Sequence, residues 1–350
     1  MPSICCSGDS LEVVDDGRRR VQVQVKEPKL TRHLATNIRI TRPYVQRKPG
    51  RSPDEHEGEL PLGILLTGGE KLRAEGLTGN GIKVAVIDSG VDDTHPGFHG
   101  KVVQQQWFRW GTPLSDDDHG THVAGTIHMM APDAELYDYR VFGEEAGFDV
   151  DEAIAVAIVE AVFDGCHVIN MSLGGRWPSL NIRTAVQYAE SNGVIVVCAA
   201  GNEGDDDPLT NERGYPALWP EAISVAAVGK AEGFPVAKFS SSNPQVDYSG
   251  IGVDVTSFKP GGGLQQMSGT SMACPHVAGL IAALLSDERL VFEPGSKKDD
   301  FVREHLEKYH VVDIEKIGPD NATGIGFLTY LDKDEYEELI SRFLTVSVTI

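Results

Sequence analysis

Short, largely apolar runs alternate along this chain with longer stretches of helical periodicity. Lys83–Asp88, Glu135–Phe142, Val168–Ser172, Val194–Ala199 and Ile223–Val228 are rich in β-branched residues, too short for buried helices, and predicted as strands. Between them, a helix begins over His122–His128. Val150–Phe163, Arg183–Ser191 and Ser271–Leu285 place apolar residues at near-helical spacing. Continuously apolar strands alternating with helices specify a parallel sheet covered on both faces. The predicted fold is therefore α/β, a three-layer sandwich with a mostly parallel sheet. Sites in such sheets lie beyond the carboxyl ends of the strands, where Asp88 and Asn202 fall.

The chain ends differ from this middle. Residues 1–55 are polar, mixed in charge, and close on Arg47-Lys48-Pro49-Gly50-Arg51-Ser52-Pro53, which reads as an extension followed by a flexible linker. Leu60-Pro61-Leu62-Gly63 opens the globular part, and 56–350 is expected to form one domain with a C-terminal tail. That tail is predicted helical around Lys333–Phe343 and strand-like over Leu344–Ile350.

The chain has 350 residues, 41% of them hydrophobic, enough for one large domain and an appendage. A net charge of −21 argues against reading nucleic acid through its phosphates. It suits cationic substrates or Ca2+. Five cysteines, three of them in apolar contexts, point to reduced thiols rather than a disulfide framework. The first twenty residues carry no apolar signal core and no stretch approaches membrane-spanning length. A cytoplasmic protein with no membrane partner is expected.

Candidate chemistry concentrates in four segments. In Gly269-Thr270-Ser271-Met272-Ala273-Cys274-Pro275-His276, a flexible turn leads a serine into a buried helix. Unpaired N–H groups there favour the negative charge of an acyl-transfer intermediate. Val84-Ala85-Val86-Ile87-Asp88-Ser89-Gly90 is a strand ending in a carboxylate, and Asp118-His119-Gly120-Thr121-His122 a turn entering a helix with His119 at its mouth. These are the parts of an Asp/His/Ser triad. Val196-Val197-Cys198-Ala199-Ala200-Gly201-Asn202 ends a strand in an amide placed to donate to an oxyanion. Ser268, His122 and His276 are the neighbouring candidates for the same roles and read as loop or packing residues. Asp92 and Asp93 read as solvated.

Together, and in this order, the four segments resemble the subtilisin-like serine proteases from about Leu60 to about Leu285. The resemblance implies an endopeptidase working through an acyl-enzyme, with Ser271 as nucleophile, His119 as base, Asp88 as its orienting partner and Asn202 as oxyanion donor. It also implies that substrate lies along Ser172, Leu173, Gly174 and Gly175, with Gly201, Glu203 and Gly214 around the P1 pocket. Glu203, with Asp205, Asp206 and Asp207 nearby, is expected to favour Lys or Arg at P1. Cys198-Ala199-Ala200-Gly201-Asn202-Glu203-Gly204, Thr210-Asn211-Glu212 and Tyr215-Pro216-Ala217 resemble the intracellular subtilisins in particular. In those proteins a Pro-Tyr motif in the N-terminal extension blocks the cleft, and Arg42-Pro43-Tyr44-Val45 stands at a comparable place. Expected partners are protein or peptide substrates, the chain's own extension as inhibitor, and a second copy in a homodimer. The family's usual tight Ca2+ site is not expected, because Thr126–Pro132 is short and Gly97 replaces its Asp. Asp205–Asp207 or Glu212 remain candidate Ca2+ ligands. A peptide ligase with the same triad is the alternative activity, and a metal-binding scaffold using His119, His122 and His128 a third reading.

Overall fold

The computed structural model describes residues 3–7, 10–14, 20–23, 60–110, 117–146, 148–290, 298–314 and 318–346. Two compact units divide the chain, 1–37 and 38–350. The first carries β1 (Ser3–Ser7), β2 (Ser10–Val14) and β3 (Arg20–Val23), an antiparallel sheet in that order. Its polar composition conceals the strand signal, which lies in alternations such as Leu11-Glu12-Val13 and Val21-Gln22-Val23.

The second unit opens with two short helices, α1 (Leu62–Leu66) and α2 (Gly69–Ala74). Strands β4 (Lys83–Asp88), β5 (Val102–Trp107) and β6 (Arg109–Trp110) follow, then α3 (His119–Met130). Next come β7 (Glu135–Arg140), β8 (Glu145–Ala146), α4 (Val150–Phe163), β9 (Val168–Met171), α5 (Leu180–Ser191), β10 (Ile195–Ala199) and β11 (Ile223–Val228). The last part comprises β12 (Tyr248–Ile251), β13 (Val255–Phe258), β14 (Leu264–Met267), α6 (Thr270–Leu285), α7 (Lys298–Tyr309), β15 (Val311–Val312), β16 (Phe327–Leu328) and α8 (Lys333–Val346). Nine strands form one sheet in the order β15-β16-β12-β11-β10-β9-β4-β7-β5, parallel except for β15 on β16. This is the α/β architecture that the alternating pattern predicts. No helix among the described residues is long and apolar enough to cross a membrane.

Two differences from the sequence reading have physical causes. Strand β12 escapes a hydrophobicity pattern because it contains Ser249 and Gly250. A Cβ on Gly250 would sit 2.9 Å from the Ala273 carbonyl of α6, so the crossing helix demands a small residue. At the C-terminus, Leu344–Val346 continue α8 instead of starting a strand, and 347–350 lie outside the described residues. In the sequence, Ile340, Phe343 and Leu344 keep the i, i+3, i+4 spacing of a helix past Phe343.

Helices α3 and α6 form the centre of the core. Every residue of α3, and every residue of α6 from Thr270 to Leu284, is buried. Each fully buried Val, Leu or Ile in this layer contributes roughly 1.5–3 kcal/mol. Close approach is bought by small residues: a Cβ on Gly279 of α6 would lie 2.5 Å from the Met130 Cβ of α3.

Candidate active site

The carboxyl end of β4 and the first turn of α3 meet at one hydrogen bond. His119 Nδ1 lies 2.7 Å from Asp88 Oδ1, which also accepts the Ser89 N–H at 2.7 Å. The two side chains are almost wholly buried, at 4% and 0% exposure, so water screens the pair little. The approach depends on Gly120. Its N–H donates to Ser89 Oγ at 3.0 Å, and a Cβ there would collide with the Gly90 carbonyl. Burial alone would lower the pKa of His119. The charge and hydrogen bond of Asp88, helped by Asp117 and Asp118, outweigh burial and raise it. Burial and the charge of Asp88 likewise raise the carboxyl of Asp117.

Ser271 enters at the same end of the sheet, on the helix that packs against α3. It is the second residue of α6, preceded by the extended Gly269. Its hydroxyl donates to the Ser172 carbonyl at 3.1 Å, while Ser172 Oγ donates to the Ser271 carbonyl at 2.8 Å. Strands β4 and β9 are paired with Val86 opposite Asn170. Asp88 at the end of β4 and Ser172 just past β9 both follow that pair toward the carboxyl end of the sheet. Asp88 with His119, and Ser172 with Ser271, thus lie at the carboxyl end of the parallel sheet. The Ser271 hydroxyl points at the Ser172 carbonyl in this rotamer, and His119 Nε2 has no hydrogen-bond partner among the described residues. Catalytic hydrogen bonds commonly tighten only with substrate in place.

Asn202 follows β10 and is oriented by Thr270. Its Oδ1 accepts both the Thr270 N–H and the Thr270 hydroxyl, each at 2.9 Å. The Gly201 N–H donates to Thr270 Oγ1 at 3.2 Å. With its oxygen so engaged, the Asn202 NH2 lies over Gly269, 3.4 Å from where a Cβ would stand. The amide donor therefore faces the turn that presents Ser271. Thr270 was not singled out in the sequence. Its place between the flexible glycine and the serine was the available signal.

The segments expected to hold substrate are also brought together. Ser172, Leu173 and Gly174 are buried, and Gly214 packs so closely under Ala200 that a Cβ would collide with its carbonyl. Gly175 exchanges two backbone hydrogen bonds with Tyr215, at 2.9 and 2.8 Å. Its own N–H and carbonyl are therefore committed to Tyr215. Glu203 is exposed, and its Oε2 accepts the Ser241 hydroxyl at 3.3 Å. Of its acidic neighbours, Asp206 is paired with Lys238 at 2.6 Å.

The competing residues have other partners. Ser268 Oγ accepts the Asp254 N–H at 2.8 Å, which ties down its loop. His122 Nε2 lies 3.0 Å from the Val255 carbonyl, and His276 Nδ1 lies 2.8 Å from the Met272 carbonyl. His128 packs on Phe98 and Phe258. These histidines serve packing and do not join His119. Asp92 accepts exposed hydrogen bonds from Thr94 and from the Gly261 N–H at 2.7 Å. Among the described residues no three or more His, Cys, Asp or Glu side chains converge where they could hold a metal ion. Asp205, Asp207 and Glu212 accept hydrogen bonds from their own loop and from Ser242. A Cβ on Gly97 would collide with the Phe258 ring, so no longer side chain fits there. Cys166, Cys198 and Cys274 are buried free thiols.

Comparison with known proteins gives the same outline. A family model described as "Subtilase family" matches residues 79–326. The major intracellular serine protease of Bacillus subtilis (strain 168) is 36% identical over 301 residues, covering 80% of this chain and 91% of that protein. An intracellular serine protease of Paenibacillus polymyxa is 35% identical over 265 residues, covering 69% of this chain and 77% of that protein. Among solved structures, sphericase superposes with a TM-score of 0.64 at 31% identity, covering 79% of this chain and 99% of that one.

Proposed function

Since this chain belongs to the subtilase family and is a subtilisin-like serine peptidase, we propose that it cleaves proteins and peptides internally through Ser271, His119 and Asp88. The observation that carries this reading is the buried 2.7 Å contact between His119 Nδ1 and Asp88 Oδ1 at the end of the sheet that also holds Ser271. Asp88 fixes the imidazole with Nδ1 as donor, leaving Nε2 as the basic nitrogen. His119 takes the hydroxyl proton as Ser271 attacks the scissile carbonyl, then returns it to the leaving amine. The Asn202 NH2 and the Ser271 backbone N–H hold the oxyanion. Water then attacks the acyl-enzyme, and His119 is again the base.

Substrate is held by addition of its backbone to Ser172–Gly174, with Gly214 leaving room for a large P1 side chain and Glu203 favouring a basic one. Fluorophosphonate labelling of the wild type and of Ser271→Ala tests the nucleophile. The wild type labels on one residue and the variant does not; labelling of the variant refutes the assignment. A peptide-library digest analysed by mass reads P1 preference and separates hydrolysis from ligation. Predominant ligation products would replace the peptidase reading with that of a ligase.

Autoinhibition by the N-terminal extension rests on the sequence alone, because Arg42-Pro43-Tyr44-Val45 lies outside the described residues. Deletion of 1–55 should raise peptidase activity, and an unchanged rate rejects the idea. A cytoplasmic location is proposed because two curated relatives are named as intracellular and Cys166, Cys198 and Cys274 are free.

A further inference from the structure

Behind the nucleophile runs a directed chain of hydrogen bonds that the proposed chemistry does not use. Its origin is Pro275, inside α6. Proline has no N–H, so the carbonyl four residues earlier, that of Ser271, lacks its helical partner. Ser172 Oγ supplies the missing donor at 2.8 Å. Ser172 Oγ in turn accepts Asn170 Nδ2 at 3.0 Å, and Asn170 Oδ1 accepts Cys274 Sγ at 3.2 Å. Asn170, Ser172, Ser271 and Cys274 are all fully buried.

Each link has one direction. Burial pushes the Cys274 thiol up, so it stays a protonated donor. The thiol occupies the oxygen side of the Asn170 amide, which turns the NH2 toward Ser172. Ser172, accepting from Asn170, donates its proton to the Ser271 carbonyl. That carbonyl belongs to the nucleophile itself, and its orientation sets where the Ser271 side chain stands at the entrance of α6.

We propose that Asn170 and the Ser172 hydroxyl are positioning residues for the nucleophile, holding the Ser271 residue in the pose that presents its hydroxyl and backbone N–H to the reacting carbonyl. This rests on the reading of Ser271 as nucleophile. Misplacing a reacting group by about 1 Å can cost about 10²-fold in rate, and loss of a single hydrogen bond corresponds to about tenfold. Ser172 thereby divides its work: its backbone lies at the edge proposed for substrate, and its side chain serves Ser271.

The test is a double-mutant cycle on the full chain, reading kcat, KM, fluorophosphonate labelling rate and Tm. Ser172→Ala should lower kcat and the labelling rate about tenfold with KM within about twofold. Asn170→Ala should do the same, and the double variant should lose no more than either single one, because Asn170 acts through Ser172. If Asn170→Ala does not fold, Cys274 carries the cycle. Cys274→Ser keeps a donor and should stay within about twofold of wild type, while Cys274→Ala loses severalfold in kcat and nothing further in the Ser172→Ala background. Multiplying effects, an unchanged kcat in Ser172→Ala, or a loss carried by KM or by the folded fraction would overturn the proposal. Ser271→Ala separates the two levels. If it remains active, the nucleophile assignment fails; if it is dead and the cycle is additive, only the positioning role fails.

Discussion

Replacing Asp88 by Asn changes one charge and leaves the local geometry intact. The asparagine carbonyl can take the place of Oδ1, which now accepts His119 Nδ1 and the Ser89 N–H, each at 2.7 Å. The NH2 then occupies the position of Oδ2, which has no hydrogen-bond partner. What disappears is the attraction between the carboxylate and the imidazolium formed during attack. Unit charges about 4 Å apart at an effective dielectric near 20 attract by about 4 kcal/mol. At about 1.4 kcal/mol per tenfold, kcat falls by roughly 10³. The pH profile should move as well. His119 must be neutral to act as base, and its raised pKa places the acid limb of kcat/KM above 6.5. In Asp88→Asn the largest remaining influence is burial, which lowers the pKa, so the limb shifts to lower pH. Initial rates on a chromogenic peptide from pH 4 to 9, with circular dichroism to verify folding, provide the measurement. A loss below tenfold with an unmoved acid limb would refute the pairing.

Asn202→Ala removes the amide donor and should lower kcat by about 10²–10³ with little change in KM, the range found for an oxyanion donor in subtilisin itself; an effect confined to KM would reassign Asn202 to substrate binding. Gly120→Ala sets a Cβ against the Gly90 carbonyl and should lower Tm and kcat together, read by calorimetry and peptide hydrolysis, since it separates α3 from the turn after Asp88. Burial lowers the pKa of His122 to about 3 and that of His128, His276 and His310 to about 4. The unfolded chain therefore binds protons that the folded one refuses, and Tm should fall as pH drops from about 6.5 to about 4, less steeply in His276→Gln. Asp138 acts in the opposite sense. Burial, with a further contribution from Asp88, raises its carboxyl to about 7 against the hydrogen bonds of Val91, Trp107 and Gln105. Folded-state protonation is lost as pH rises, so the Tm advantage of Asp138→Asn should grow between about pH 4 and 7 and level off above.

Much of the central sheet and the candidate triad could be read from the residues, because these elements carry strong, local signals. Apolar β-branched runs such as Val84–Ile87 declare buried strands, and a carboxylate, a histidine and a serine at element ends stand out against them. Strand β5 did not stand out. As the outer strand of the sheet it alternates exposed and half-buried positions and contains three glutamines, two of which donate to Asp164. The β13–β14 hairpin was also missed, since Thr256, Gln265 and Gln266 interrupt its apolar pattern. Within the site, the residue types and the pairing of His119 with Asp88 were legible, and the bonds that hold Thr270 and Ser172 in place were not. Thr270 bonding the Asn202 oxygen joins positions 68 apart in the chain, and Ser172 bonding the Ser271 carbonyl joins positions 99 apart. Such pairs come from tertiary register, which no local pattern encodes. The bond from the Ser271 hydroxyl to the carbonyl of Ser172, just past β9, is of the same kind.

The serine and the histidine each sit in the first turn of one of the two helices that fill the middle of the molecule. A machine assembled on surface loops can lose its alignment by loosening while the rest stays intact. Here the working parts are bolted to the keel. Heating should therefore leave specific activity nearly level until the whole body gives way, with inactivation and melting arriving as one event.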